Sequence, residues 1–231
     1  MTKTTDNAEQ AVKTAVAAWE DIYSQIHDIT LKALTEQELD LENIKKVAQA
    51  VGKGISEGIG NQVRTKEIIQ ESASALDDAL AKAAEASKLA IEEAASRVDE
   101  FSHEDLRQAA ENLKSLEELF IDTMQEIAKN GNEVVVNTTQ DLITHVRQSG
   151  SAVGEQVLQG LQSLQKLPQL GKNAALTSAS ATASALAAIG SGILAGIADG
   201  LQGRGGEKSQ ANAAESSDEQ AGDEQAGEKK T

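Results

Sequence analysis

LRQAAENLKSLEELFIDTMQEI, residues 106–127, sets Leu106, Ala109, Leu113, Leu116, Phe120, Met124 and Ile127 at intervals of three and four. That spacing gathers the apolar side chains on one side of an α-helix, whereas a half-buried strand would alternate. Ser102 followed by Asp105 reads as a capping box with Asp in place of the usual Glu or Gln, and Asn130 with Gly131 supplies the stop. A helix over 103–129 is the result.

Working upstream, Thr65 caps a long alanine-rich helix over 66–99, with Ile69, Leu76, Leu80, Ala83, Ala90, Ile91, Ala94 and Val98 on its apolar side. Asp40 caps another over 41–58, built on Ile44, Val47, Ala48, Val51 and Ile55. Gly52, Gly54, Gly58 and Gly60 weaken its end, since an interior glycine costs a helix about 0.8 to 1 kcal/mol relative to alanine. Before it, Ala8, Val12, Ala15, Trp19, Ile22, Ile26 and Ile29 recur at alternating spacings of four and three, the seam of a coiled coil, and predict one helix over 6–34. Downstream, Asn132 caps a helix over 133–167 carrying Val135, Leu142, Val146, Val153, Val157, Leu161, Leu164 and Leu167, which Pro168 ends or kinks. Val134 to Val136 could open a strand, but nothing nearby would pair with it. The expected architecture is all-α: about six long amphipathic helices, the last over 173–200, forming a mostly antiparallel bundle or extended hairpins.

Residues 1–5 are expected to be disordered, and so is an acidic tail over 202–231, in which DEQAG occurs twice and no apolar residue exceeds alanine. The 231 residues include four aromatics, two methionines, one proline and no cysteine, so any core must rely on close backbone approach by Ala, Leu, Ile and Val. A formal charge of −16 disfavours nucleic acid and anionic lipid as partners. The excess is concentrated in 66–130, with 7 basic and 16 acidic residues, and the middle of the chain therefore reads as heavily solvated. Absence of cysteine fits a reducing compartment, and MTKTTDNAEQ lacks the apolar core of a secretory signal, so a cytoplasmic location is expected.

One stretch breaks the acidic pattern. Residues 173–198, NAALTSASATASALAAIGSGILAGIA, carry no formal charge. Within them and just beyond, Gly192, Gly196 and Gly200 fall every fourth residue and form a flat strip suited to close helix packing. Leu186, Ile189, Ile193, Leu194, Ile197 and Leu201 supply apolar surface that must be covered. These nine residues are the candidate contact surface for an apolar phase or a second copy. Twenty-five residues of this run would make a helix about 37 Å long, enough to cross a bilayer core. Its first half is rich in Ser and Thr, however, so a membrane span, an interfacial or oligomeric insertion and an ordinary bundle helix all stay open. Gly150 and Gly154 form a further GxxxG, read equally well as packing or as chance.

No catalytic, cofactor or metal signature accompanies this surface. Glu100 and His103 have the ExxH spacing of di-iron bundles, but a second motif and further glutamates are missing, and the cap at Ser102 interrupts the helix such a site needs. Asp141 with His145 reads as a solvated pair, and His27 has no catalytic partner. Asp77–Asp78, Glu92–Glu93 and Glu117–Glu118 read as solvated faces, because neighbours on a helix point about 100° apart. Gly52-Lys53-Gly54 and Gly171-Lys172 lack the order of a phosphate loop, so neither a nucleotide nor another small-molecule substrate is expected.

KAAEASKLAIEEAASRVDEF (82–101), LEELFIDTM (116–124) and SGILAGIADGL (191–201) together resemble a family of uncharacterised bacterial helical proteins with an alanine-rich middle and a glycine-containing apolar end. More loosely, composition and periodicity are similar to those of phasins, which coat polyhydroxyalkanoate granules, and of apolipoprotein-like coat helices. The second likeness implies adsorption to a hydrophobic surface. The expected function is accordingly structural: a non-enzymatic protein that self-associates or coats a granule or membrane surface. The alternative is a soluble oligomeric scaffold whose seam from Val12 to Ile29 pairs between chains.

Overall fold

Small side chains at the middle of the chain determine how the helices assemble. The computed structural model describes residues 3–18, 20–60, 64–97, 101–129, 131–165 and 182–215, and the described residues form eight helices and no strand. In order these are α1 (Lys3–Ala18), α2 (Ile22–Thr35), α3 (Leu41–Ile59), α4 (Thr65–Ser96), α5 (His103–Lys129), α6 (Glu133–Ser149), α7 (Ala152–Gln165) and α8 (Thr182–Glu215). Helix α4 is the hub, packing against α2, α3, α5, α6, α7 and α8. It can hold so many neighbours because its buried positions are largely alanine, with Ile69, Leu76, Leu80 and Ile91 filling the wider gaps. The charge-rich middle is thus the buried centre of an all-α bundle, with its carboxylates and lysines at the margins of the contacts.

Local capping explains where several helices begin. Asp40 accepts the Asn43 N–H at 2.7 Å and Asn132 accepts the Val135 N–H at 3.1 Å. Ser102 and Asp105 exchange backbone N–H bonds at 3.1 and 3.2 Å, the reciprocal box their spacing predicts. Helix α5 has the expected limits, α3 runs one residue longer, and α4 covers Thr65–Ser96 instead of 66–99.

Two expected helices are each divided. The helix over 6–34 starts earlier, at Lys3, with Thr5 buried inside the segment expected to be disordered, and it breaks before Asp21. Asp21 adopts φ 45° and ψ 52°, a left-handed conformation that Asp tolerates better than most residues. The reversal lets α1 lie along α3 while α2 packs on α4. The 4,3 repeat continues on both sides of the break, which is why periodicity alone joins them. Most of its seam is buried within the chain: Ala8, Val12, Ala15, Ile22 and Ile26 are buried, Ile29 is half-buried, and Trp19 lies outside the described residues.

The helix over 133–167 is likewise split, at Gly150, whose φ of 83° and ψ of 172° suit glycine alone. Gly150 therefore terminates α6, and the spacing Gly150/Gly154 forms no continuous helical strip. The last helix is described from Thr182 and continues to Glu215, past the expected boundary at Leu201. Pro168, the first part of the uncharged run (173–181) and positions 216–231 of the acidic tail lie outside the described residues, as does Glu100 of the ExxH pair.

Orientation also departs from simple up-and-down order. Lys53 pairs with Glu9 at 2.7 Å and Lys13 with Glu57 at 2.9 Å, so α1 and α3 run parallel. A Cβ placed on Gly54 would sit 2.9 Å from Val12 Cβ, and one on Gly58 would sit 2.7 Å from Val16 Cβ. Gly54 and Gly58 thus form a helical glycine strip with another helix seated on it.

Candidate functional site

Helix α8 presents two different sides. Leu186, Ala187, Gly190 and Leu194, spaced to share one face, are turned into the bundle against α2, α4 and α5. A Cβ on Gly190 would stand 3.1 Å from Leu39 Cδ2 and 3.7 Å from Ala90 Cβ, so the helix backbone lies close to both. Beside Gly190, Ser191 Oγ accepts the Leu39 N–H at 2.8 Å and lies within donor reach of the Ala187 and Gln37 carbonyls, at 2.8 and 3.2 Å. That one hydroxyl ties α8 to the loop between α2 and α3.

The opposite side carries small residues. Ala188, Gly192, Gly196 and Gly200 are exposed, and a Cβ on any of the three glycines would meet nothing within 4 Å. Ile189, Ile193 and Ile197 lie half-buried between the two sides, and Leu201 is 40% exposed beyond the docked portion. The nine expected contact residues are therefore not one surface. Leu186 and Leu194 belong to the core, while the glycine strip stands open with no helix of the described residues upon it. Between Ser184 and Leu201 the helix has mean hydropathy 1.5 and is long and apolar enough to cross a membrane, and 28% of that window is buried in the bundle.

Beside α8, a solvent-open cleft of about 130 Å³ runs among Leu39, Ile44, Ile91, Leu116, Leu186 and Gly190, with Asp40, Asp105 and Asn112 also on its walls. Farther along, a cleft of about 480 Å³ separates α2 from α8, with Tyr23, His27, Asp199 and Leu201 on its walls. Tyr23 and His27 stack with ring centroids 5.9 Å apart. The Tyr23 hydroxyl donates to Asp78 at 2.7 Å, and its pKa is pushed up to about 12, first by burial and then by that carboxylate.

Other polar groups have structural roles that adjacency concealed. Asp77 does not face open water: its oxygens accept the N–H groups of Ala152 and Val153, capping α7 from α4. Burial holds its carboxyl above the ordinary range despite those two bonds, with Asp78 and Glu117 adding to the rise. Glu117 packs against Gly154, whose Cβ would fall 2.7 Å from its carboxyl carbon. These two corrections arise because α7 folds back along α4 and α5, a contact no local spacing announces. Asp141 and His145 are exposed on α6, and the described residues contain no group of three or more potential metal ligands.

No curated protein and no solved structure matches the chain. A family match does cover most of it, residues 2–203, and spans the bundle together with the docked part of α8. The chain belongs to this family of unknown function, DUF6781.

Proposed function

We propose that this is a non-enzymatic structural protein that associates with an apolar surface, a granule or a neutral membrane interface, through α8. The carrying observation is the contrast within one helix: of 18 residues of high hydropathy, with Asp199 their one charge, the described bundle buries one side, leaves Ile189, Ile193 and Ile197 half-buried, and leaves Gly192, Gly196, Gly200 and Leu201 exposed. A helix apolar on all sides is stable in water only when covered, and here the protein covers one side. The acidic exterior opposes adsorption to anionic lipid, so the surface in question is neutral and hydrocarbon-like. The likeness to phasins supports the same reading at the level of composition.

For the rival reading, a soluble scaffold paired through Val12 to Ile29, the burial of Val12, Ala15, Ile22 and Ile26 within the chain is a point against. Co-sedimentation of the full chain with neutral phosphatidylcholine vesicles and with polyester granules tests the proposal. Gly192→Glu/Gly196→Glu places two charges where nothing obstructs them, and should abolish sedimentation with the thermal melt retained. Wild-type protein left wholly in the supernatant would refute the surface reading, and light scattering on that fraction would then decide for or against an oligomer.

A further inference from the structure

We propose that α8 is a releasable strap: docked on α2 and α4 it withholds its largest apolar side chains, and it leaves that seat when the protein meets an apolar surface. This rests on the surface reading above and adds its regulation. The buried leucines, Leu186 and Leu194, face the protein, and up to Gly196 the exposed positions are Ser184, Ala188, Gly192 and Gly196, which contribute little apolar area. Binding by the docked helix would waste most of what α8 offers. Binding by the released helix uses Leu186, Ile189, Ile193, Leu194, Ile197 and Leu201 together.

Three features of the seat favour release. Among the described residues its polar tie to the loop between α2 and α3 is the hydroxyl of Ser191, and a serine returns to its own helix through the Ala187 carbonyl when that tie opens. The open cleft of about 130 Å³ beside Leu186 and Gly190 leaves this edge of the docked face in contact with solvent and not with protein. Between Ser184 and Leu201 the one charge is the exposed Asp199, so transfer of the rest of this stretch desolvates no charged group. The groove left behind has polar groups along its rim, Asp40, Ser87, Asp105, Gln108 and Asn112, which limits the apolar surface that release uncovers.

The absence of native cysteine permits a direct test. The 3.7 Å between Ala90 Cβ and a Cβ on Gly190 falls within the 3.5–4.5 Å span of a disulfide, so Ala90→Cys/Gly190→Cys locks the strap on oxidation. With neutral phosphatidylcholine vesicles, the oxidised form should bind at least about tenfold more weakly than the same protein after reduction. The reduced form should match wild type. In the unlocked chain, Ser191→Ala removes the tie and should raise vesicle affinity about fivefold, the factor for one neutral hydrogen bond. Equal binding by oxidised and reduced forms, or lowered binding by Ser191→Ala, overturns the strap and leaves surface association standing. Failure of wild type to sediment overturns both.

Discussion

Asp77 takes the backbone N–H of Ala152 at 2.7 Å, and its second oxygen takes that of Val153 at 2.9 Å. The first turn of any helix has unpaired donors, and α7 satisfies two of them with a residue 75 positions earlier in the chain. Ser151 supplies a local third bond, accepting the Gly154 N–H at 3.0 Å. Asp77→Ala removes the distant cap alone. It should lower stability by about 1 kcal/mol in urea unfolding and speed amide exchange in α7 before other helices. An unchanged midpoint would mean that Ser151 suffices.

The same carboxylate makes stability depend on pH in an uncommon direction. Its folded pKa is raised, chiefly by burial, while Asp78 on α4 and Glu117 on α5 push it further and the two N–H bonds pull back. Glu155 of α7 and His145 of α6 line the same groove. A raised folded pKa means the fold holds the proton more tightly than the unfolded chain does. The resulting stabilisation is complete below the unfolded value and vanishes as pH rises through the folded one. Asp77→Asn cannot titrate, so wild type should gain in melting temperature relative to this variant as pH falls from about 7 to about 4. A constant gap across that range would rule out the assignment.

Glycine to alanine should have opposite signs at two strips with identical spacing. At Gly54 an added Cβ falls 2.5 Å from the Glu9 carbonyl oxygen, and at Gly58 it falls 2.9 Å from that of Lys13. Backbone cannot move aside cheaply, so each substitution should destabilise by about 1 to 3 kcal/mol despite better helix propensity. Gly192→Ala and Gly196→Ala meet open space and should each stabilise α8 by about 0.8 to 1 kcal/mol. Thermal melts of the four variants check this, and loss of stability at Gly192 would reveal a neighbour on the open strip.

That contrast marks the limit of what spacing reveals. The stripe from Leu106 to Ile127 and the caps at Asp40, Ser102 and Asn132 are legible because cause and effect lie within four residues. The reversal at Asp21 leaves the apolar period intact on both sides, and Gly150 carries a helix stop in the same letters as a packing motif. Whether a glycine strip is occupied depends on a helix elsewhere in the chain. Spacing therefore singles out Gly192, Gly196 and Gly200, while the seated strip is Gly54 with Gly58, where glycine content alone predicts a weak helix end. Asp77 was concealed for a related reason: beside Asp78 it looks like surface, until α7 returns along α4 to meet it. For α8, the apolar content was plain from composition, but which half of it faces the protein was set by Leu39 and Ala90.

Tyr23 offers a reporter for the side of the bundle where α2 meets α8. It is the chain's sole tyrosine, so tyrosinate absorbance follows this hydroxyl without interference. Partial burial and the bond to Asp78 raise its pKa to about 12, which keeps the proton on the phenol where a free tyrosine would have lost it. Because the folded value lies above the unfolded one of about 10, the stabilisation is full below pH 10 or so and is lost as pH climbs toward 12. Spectrophotometric titration of wild type should give a midpoint near 12 or an unfolding step that precedes it, and Asp78→Asn should lower the midpoint only part of the way toward the free value of about 10, because burial, the larger cause, stays in place. Burial alone would leave the variant close to wild type, so a midpoint that does not move on Asp78→Asn would assign the shift to desolvation and remove the hydrogen bond from its causes.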